Sequence, residues 1–191
     1  MAYSTTQRRQ ILANLGWRVT STARYNQAVK DFQRGWNLGT KLAVDGQPGP
    51  ATDRALGISE ARRKAGKPTA SANFSFVHFR CKCGGKFAGC RRIWIARAQI
   101  QALEKYRTIN GPVEVVSGCR CLGHNSAVGG ARSSQHLGGN ATDVRPQQKT
   151  ARVVGLRVFG GVGYNAASGR VAHVDTRPGS RTSPTTWKYG R

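Results

Sequence analysis

Apolar residues recur every three to four positions in the first third of the chain, and every second position in several short runs after position 110. Ile11, Leu12 and Leu15 fall on one face of a short helix over 7–17. Tyr25, Val29, Phe32 and Trp36 fall on one face of a second helix within "STARYNQAVKDFQRGWNLG", with Ser21 or Thr22 placed to cap it and Gly39 to end it. "VDGQPGPATDRAL" is a glycine- and proline-rich turn into a third helix, with Pro50 where a first helical turn accepts proline. The polar, basic, small-residue stretch "SEARRKAGKPTASAN" follows as a linker or a frayed helix end.

The strongest helical pattern is "RIWIARAQIQALEKYRTI", in which Ile93, Ala96, Ile100, Leu103 and Tyr106 are spaced by three and four. After it, "GPVEVVSGCRC" predicts a strand opened by a Gly-Pro turn, and "ATDVR" a short strand. "GLRVFGGVGYN" and "RVAHVDTR" predict two final strands joined by a turn at 167–169. A long helix followed by short strands predicts an α+β domain with a central antiparallel sheet and a flanking helix, preceded by an all-α segment of three helices. The expected division is a three-helix module over 1–60, a linker over 61–73 and a second domain over 74–191.

Composition narrows the partners. The 191 residues suffice for one ordinary domain, or for a small module beside a compact catalytic domain. Lys and Arg number 31 against 8 Asp and Glu, a formal net charge of +23 that favours a polyanionic partner. Nucleic acid fits that charge, and so do phosphate- or carboxylate-bearing cell-wall polymers. The basic residues are dispersed, with no dense arm and no helix-turn-helix, zinc-finger or RNA-recognition signature, so nucleic acid is not the expected partner. No apolar run approaches the roughly 20 residues that span a bilayer, and "MAYSTTQRRQILANLGWRV" does not resemble a secretory signal. The expectation is a monomer made in a cytoplasm and held there until something releases it. Five cysteines cluster as Cys81, Cys83 and Cys90, then Cys119 and Cys121. Structural zinc, disulfides formed after release and buried thiols are all compatible with that spacing.

The candidate chemistry lies in two short stretches. Alternate side chains of a strand share a face, so His173 and Asp175 in "RVAHVDTR" reach one site. Asp143 follows small Ala141 in "ATDV", and His136 lies in the loop before it. Two imidazoles and one carboxylate suit zinc in a three-ligand catalytic arrangement that leaves a position for water. Calcium or magnesium would take mostly oxygens. From spacing alone, histidines that merely hydrogen-bond within a core remain an alternative.

Two resemblances sharpen this. "AVKDFQRGWNLGTKLAVDGQPGPATDRAL" resembles the three-helix peptidoglycan-binding module found beside wall hydrolases, through Ala28, Val29, Phe32, Gln33, Asp45, Gly46, Gly49, Pro50 and Thr52. "SGCRCLGHNSAVGGARSSQHLGGNATDV" with "GGVGYNAASGRVAHVDTRPG" resembles the zinc D-Ala-D-Ala carboxypeptidase family, with its VanX-like dipeptidases and phage L-alanyl-D-glutamate endopeptidases. The family motif falls on Ser134, His136, Gly139, Ala141 and Asp143, with His173 as the distant histidine. The resemblance implies a zinc ion held by His136, Asp143 and His173. It also implies that Arg120 faces the substrate or the oxyanion, and that His124 and Ser134 contact substrate.

One position departs from the better-known relatives. Three residues before the last ligand they carry a base, and here that residue is Arg170, which cannot take a proton. Asp175 is the expected substitute, either as the base or as the group that orients an imidazole. The whole chain is thus expected to be a zinc metallopeptidase cutting peptidoglycan, resembling a bacteriophage endolysin that acts on the wall of its host. A non-catalytic wall-binding protein on the same fold is the alternative.

Overall fold

Three helices open the chain in the computed structural model, which describes residues 2–88 and 90–189. α1 (Thr5–Asn14) begins with a reciprocal cap, in which Ser4 Oγ accepts the Gln7 amide and Gln7 Oε1 accepts the Ser4 amide. α2 (Thr22–Gly35) is capped by Ser21, whose hydroxyl accepts the Arg24 amide. α3 (Pro50–Lys64) starts on Pro50, whose missing N–H costs a first turn nothing.

The residues between α2 and α3 form one polar lock. The buried Gln33 amide reaches Asp45 Oδ1 at 2.9 Å, the Gln47 carbonyl at 3.0 Å and Thr52 Oγ1 at 3.2 Å, while its oxygen accepts the Gly46 amide at 2.9 Å. That network is the physical reason for the Gln, Asp-Gly and Thr spacing seen in the sequence. α2 ends at Gly35 rather than Gly39, because Trp36 turns to extended backbone and buries its ring. α3 runs on to Lys64, so residues 59–64 of the polar stretch are helical, and Ser59 is buried, donating to the Thr69 carbonyl.

The three helices do not keep a core to themselves. Trp17, Phe32 and Phe76 pack ring against ring, with centroids 4.8–6.1 Å apart, joining α2 to the 3-10 turn Phe76–Phe79. Trp17 Nε1 donates to the Ile93 carbonyl at 3.0 Å, and Arg92 pairs with the buried Asp31 of α2. One continuous apolar core therefore runs from α1 to the last strands.

α4 (Arg97–Asn110) starts later than its periodicity predicts. Ile93 and Ile95 are both fully buried in a stretch without regular secondary structure, and the helix begins only after Ala96, which is itself extended. Buried Gln99 of α4 donates to Thr142 Oγ1 at 2.8 Å and to the Val174 carbonyl at 3.1 Å, fixing the helix across two strands.

Five strands follow, interleaved with two short helices: β1 (Glu114–Ser117), α5 (Leu122–Ala127), β2 (Ala141–Arg145), α6 (Thr150–Gly155), β3 (Gly161–Asn165), β4 (Val171–Asp175) and β5 (Thr185–Tyr189). They form one sheet in the order β1-β2-β4-β3-β5. The α+β class expected from the sequence holds, but the antiparallel sheet does not: β5 runs parallel to β3, so the sheet is mixed. Both Asp175 and Thr185 pair with Gly161. The chain thus leaves β4, steps over the end of β3 and re-enters in the direction of β3. "TTWKY" carries the β-branched and aromatic residues of a strand but sits beyond the last expected one. Of the stretch 155–160, expected as strand, Gly155 closes α6 and 156–160 follow it as turn and irregular backbone.

Candidate metal centre

β2 and β4 are antiparallel neighbours, and Asp143 and His173 are directly opposed in their register. Opposed residues point to the same face, so the pairing itself brings this carboxylate and imidazole together. His136 comes from the turn before β2, which is held from two sides. Arg34 of α2 donates to the Gly138 carbonyl at 2.6 Å and to Asn140 Oδ1 at 3.1 Å, and Trp94 Nε1 donates to the Leu137 carbonyl at 2.8 Å. Gly139 has φ of +69°, and a Cβ there would collide with the Trp94 carbonyl oxygen. Only glycine meets both demands.

Three donor atoms converge. His136 Nε2 lies 3.1 Å from His173 Nδ1 and 3.3 Å from Asp143 Oδ1, and His173 Nδ1 lies 3.0 Å from the same oxygen. Ligand atoms about 2.0–2.1 Å from a tetrahedral zinc sit about 3.3–3.4 Å from one another, so the set fits that ion with small adjustment. The rings are also presented in the right tautomers. His136 Nδ1 faces the Gly118 carbonyl at 2.6 Å and must donate to it, which leaves Nε2 with its lone pair. His173 Nε2 lies 3.0 Å from Asp175 Oδ2 and donates there, which leaves Nδ1 for a metal.

The carboxylates around these rings are strongly held. Burial acts to raise the Asp143 pKa, but contacts with His136 and His173 outweigh it and keep the group below the ordinary carboxylate range. Arg120 pairs with the other Asp143 oxygen, Oδ2, and is braced by Ser117 Oγ at 2.9 Å. Asp175 is fully buried, and Arg177 grips it with Nε at 2.8 Å and Nη2 at 2.6 Å. Burial again acts upward, and the Arg177 bonds carry its pKa below the ordinary range. Gly161 lies opposite Asp175, where a Cβ would come within 2.5 Å of Oδ2.

The peptidase M15 family model matches residues 72–175, which contain all three convergent ligands, Arg120 and Asp175. This chain belongs to the peptidase M15 family. Its members are zinc-dependent metallopeptidases. No curated protein matches the chain significantly.

In this M15 peptidase the three donors open onto a cleft of about 700 Å³. Arg120 and Ser134, both expected from the sequence, line it. His124 does not; it lies on α5, close enough to Arg120 for that charge to add to burial in lowering its pKa. Arg170 donates to the Gln147 carbonyl, away from the donors. Asp175 reaches the site only through the far nitrogen of His173. Two wall residues escaped the sequence reading. Trp187 packs on the His173 ring, with centroids 5.1 Å apart, the Arg177 guanidinium lies over the Trp187 ring at 4.8 Å, and Tyr189 lines the cleft beside it. Both belong to β5, and their i, i+2 spacing was the available signal.

Proposed function

We propose that this chain is a zinc-dependent hydrolase of peptide bonds in bacterial peptidoglycan, of the kind a bacteriophage uses as an endolysin. His136 Nε2, Asp143 Oδ1 and His173 Nδ1 hold the ion. Their convergence at 3.0–3.3 Å on an open cleft is the observation that carries the reading. Bound zinc supplies a polarised scissile carbonyl and a water acidified to a pKa near 7.

The remaining residues bind, orient and compensate charge. Arg120 stabilises negative charge developing on the carbonyl oxygen, or anchors a carboxylate of the stem peptide. Asp175 is a positioning residue: it accepts the His173 Nε2 proton and so keeps Nδ1 free to ligate. Trp187 and Tyr189 form an aromatic wall against which a peptide lies. Ser134 also lines the cleft and offers a hydroxyl to substrate. The three N-terminal helices are the wall-holding module, which raises the local substrate concentration without adding a catalytic contact. The net charge of +23 suits anionic wall polymers.

A second reading is favoured by one observation. Among the described residues no carboxylate besides Asp143 lines the cleft, so the chain could hold wall and zinc without hydrolysis. Mass spectrometry of purified peptidoglycan after incubation separates the two. New peptide termini released by the wild type and absent with His136→Ala support the hydrolase and identify the bond. Binding to the wall with no released fragment supports the non-catalytic reading.

A further inference from the structure

We propose that Cys81, Cys83, Cys90 and Cys121 bind a second zinc ion, a structural one that is independent of the cleft. Their four sulfur atoms all lie within 4.8 Å of one another. Thiolates about 2.3 Å from a tetrahedral zinc sit about 3.8 Å apart, so the four close around an ion with shifts under about 1 Å. A disulfide would instead draw sulfurs into pairs about 2.05 Å apart. The fifth cysteine stands outside the group. Cys119 is buried, accepts the Trp94 amide at 3.2 Å, and burial pushes its thiol up to about 12. The odd count thus resolves into four ligands and one packing thiol.

Backbone amides converge on three of the four sulfurs, although Cys83 Sγ also donates to the Cys90 carbonyl at 3.1 Å, a bond that metal binding would replace. Cys81 Sγ accepts the Cys121 amide at 3.4 Å. The amides of Cys83, Gly85 and Arg92 point at the sulfurs of Cys81, Cys83 and Cys90, in each case from two residues further on. Amide donors favour the ionised sulfur. Lys82, Lys86 and Arg91 lie in the same segment, which has no acidic residue, and offset the net negative charge of a four-thiolate zinc.

Apart from the cysteines, the segment is tied down mainly by the Arg92–Asp31 pair and by the Phe87 ring against Gly123. Between Cys81 and Ile93 no described residue is buried. A glycine-rich loop with so little buried apolar surface gains order from a crosslink, and metal binding supplies that as folding free energy. The crosslink would end at Cys121, the neighbour of Arg120, and so tie the loop to the segment that carries the cleft's arginine.

The test uses the full chain, purified reduced from zinc-supplemented cells, as wild type and as the His136→Ala/His173→Ala variant. We expect the variant to retain about one zinc per chain, released by a thiol-capping mercurial. After cobalt substitution, the same variant should show the intense near-ultraviolet thiolate-to-metal charge-transfer band. The wild type should hold about twice the zinc and show the same band. Cys83→Ser/Cys121→Ser should lose the band and keep the cleft's equivalent. Should that variant not fold, the wild-type cobalt spectrum decides alone. A cobalt-loaded protein without a thiolate band, or non-reducing peptide maps that place these cysteines in disulfides, would overturn the proposal. Failure of the cleft to bind metal would leave the thiolate band unchanged, so the two readings fail separately.

Discussion

Asp175 sits behind His173, on the ring nitrogen that points away from His136 and Asp143. A base would lose its function equally as Asn or Ala, whereas an acceptor that fixes a tautomer is partly replaced by the Asn amide oxygen. Asp175→Ala should therefore lower kcat or zinc affinity by about 10–100-fold, and Asp175→Asn by clearly less, in peptide-release kinetics with parallel zinc titration. Equal losses would return Asp175 to the role of base. Arg120 makes a different prediction. Removing a donor to a developing oxyanion costs about 10²–10³ in kcat, so Arg120→Ala should lose that much kcat even when assayed at saturating zinc, which offsets any affinity lost with its Asp143 contact. His136, Asp143 and His173 were legible as a candidate donor set because period-two alternation and the motif each point to the same residues, and the fold brings their donor atoms together. The sequence did not reveal Asp175's role, because alternation tells which face a side chain takes and not which imidazole nitrogen it meets.

At the scale of elements, the turn bearing His136 is the tightest fit in the site. Gly139→Ala combines a positive φ with a collision at the Trp94 carbonyl, and should cost about 1–3 kcal/mol or more, read as a lower urea midpoint together with reduced zinc retention. The α1–α3 contact gives a pH prediction away from the metal. Arg8 makes two bonds of 2.8 Å to Asp53, whose side chain is 1% exposed, and these bonds hold the Asp53 pKa down. A depressed carboxylate stabilises the fold above its unfolded pKa of about 3.9, and that stabilisation is lost as pH falls through the lower folded value. Asp53→Asn should then cost about 1–3 kcal/mol near neutral pH, and the gap to wild type should close in acid. A gap of constant size would contradict the assignment.

The elements themselves were partly readable. Helical spacing located α1–α3 and most of α4, but Ile93 fits the helical face by spacing while lying, buried, in the irregular stretch before the helix. β5 was missed because its parallel pairing depends on a crossover that local pattern does not encode. The cysteine group was visible as spacing alone, since Cys121 joins the other three from a separate loop.

For the whole molecule, the helices and the peptidase fold share one core, and Arg34 of α2 holds the loop that carries His136. The N-terminal helices therefore pack into the same core as the strands that carry the cleft. The positive charge predicts that retention on purified wall weakens as salt rises, most of all on wall carrying anionic polymers, in sedimentation assays. Salt-independent retention would place the affinity in uncharged contacts.

The most direct measurement is the release of new peptide termini from purified peptidoglycan by zinc-loaded wild type beside folded His136→Ala. Fragments from the wild type alone, abolished by a chelator and restored by zinc, are the predicted result. The same fragments from the variant, or none from a wild type whose cleft holds zinc, would contradict a zinc peptidase centred on His136, Asp143 and His173.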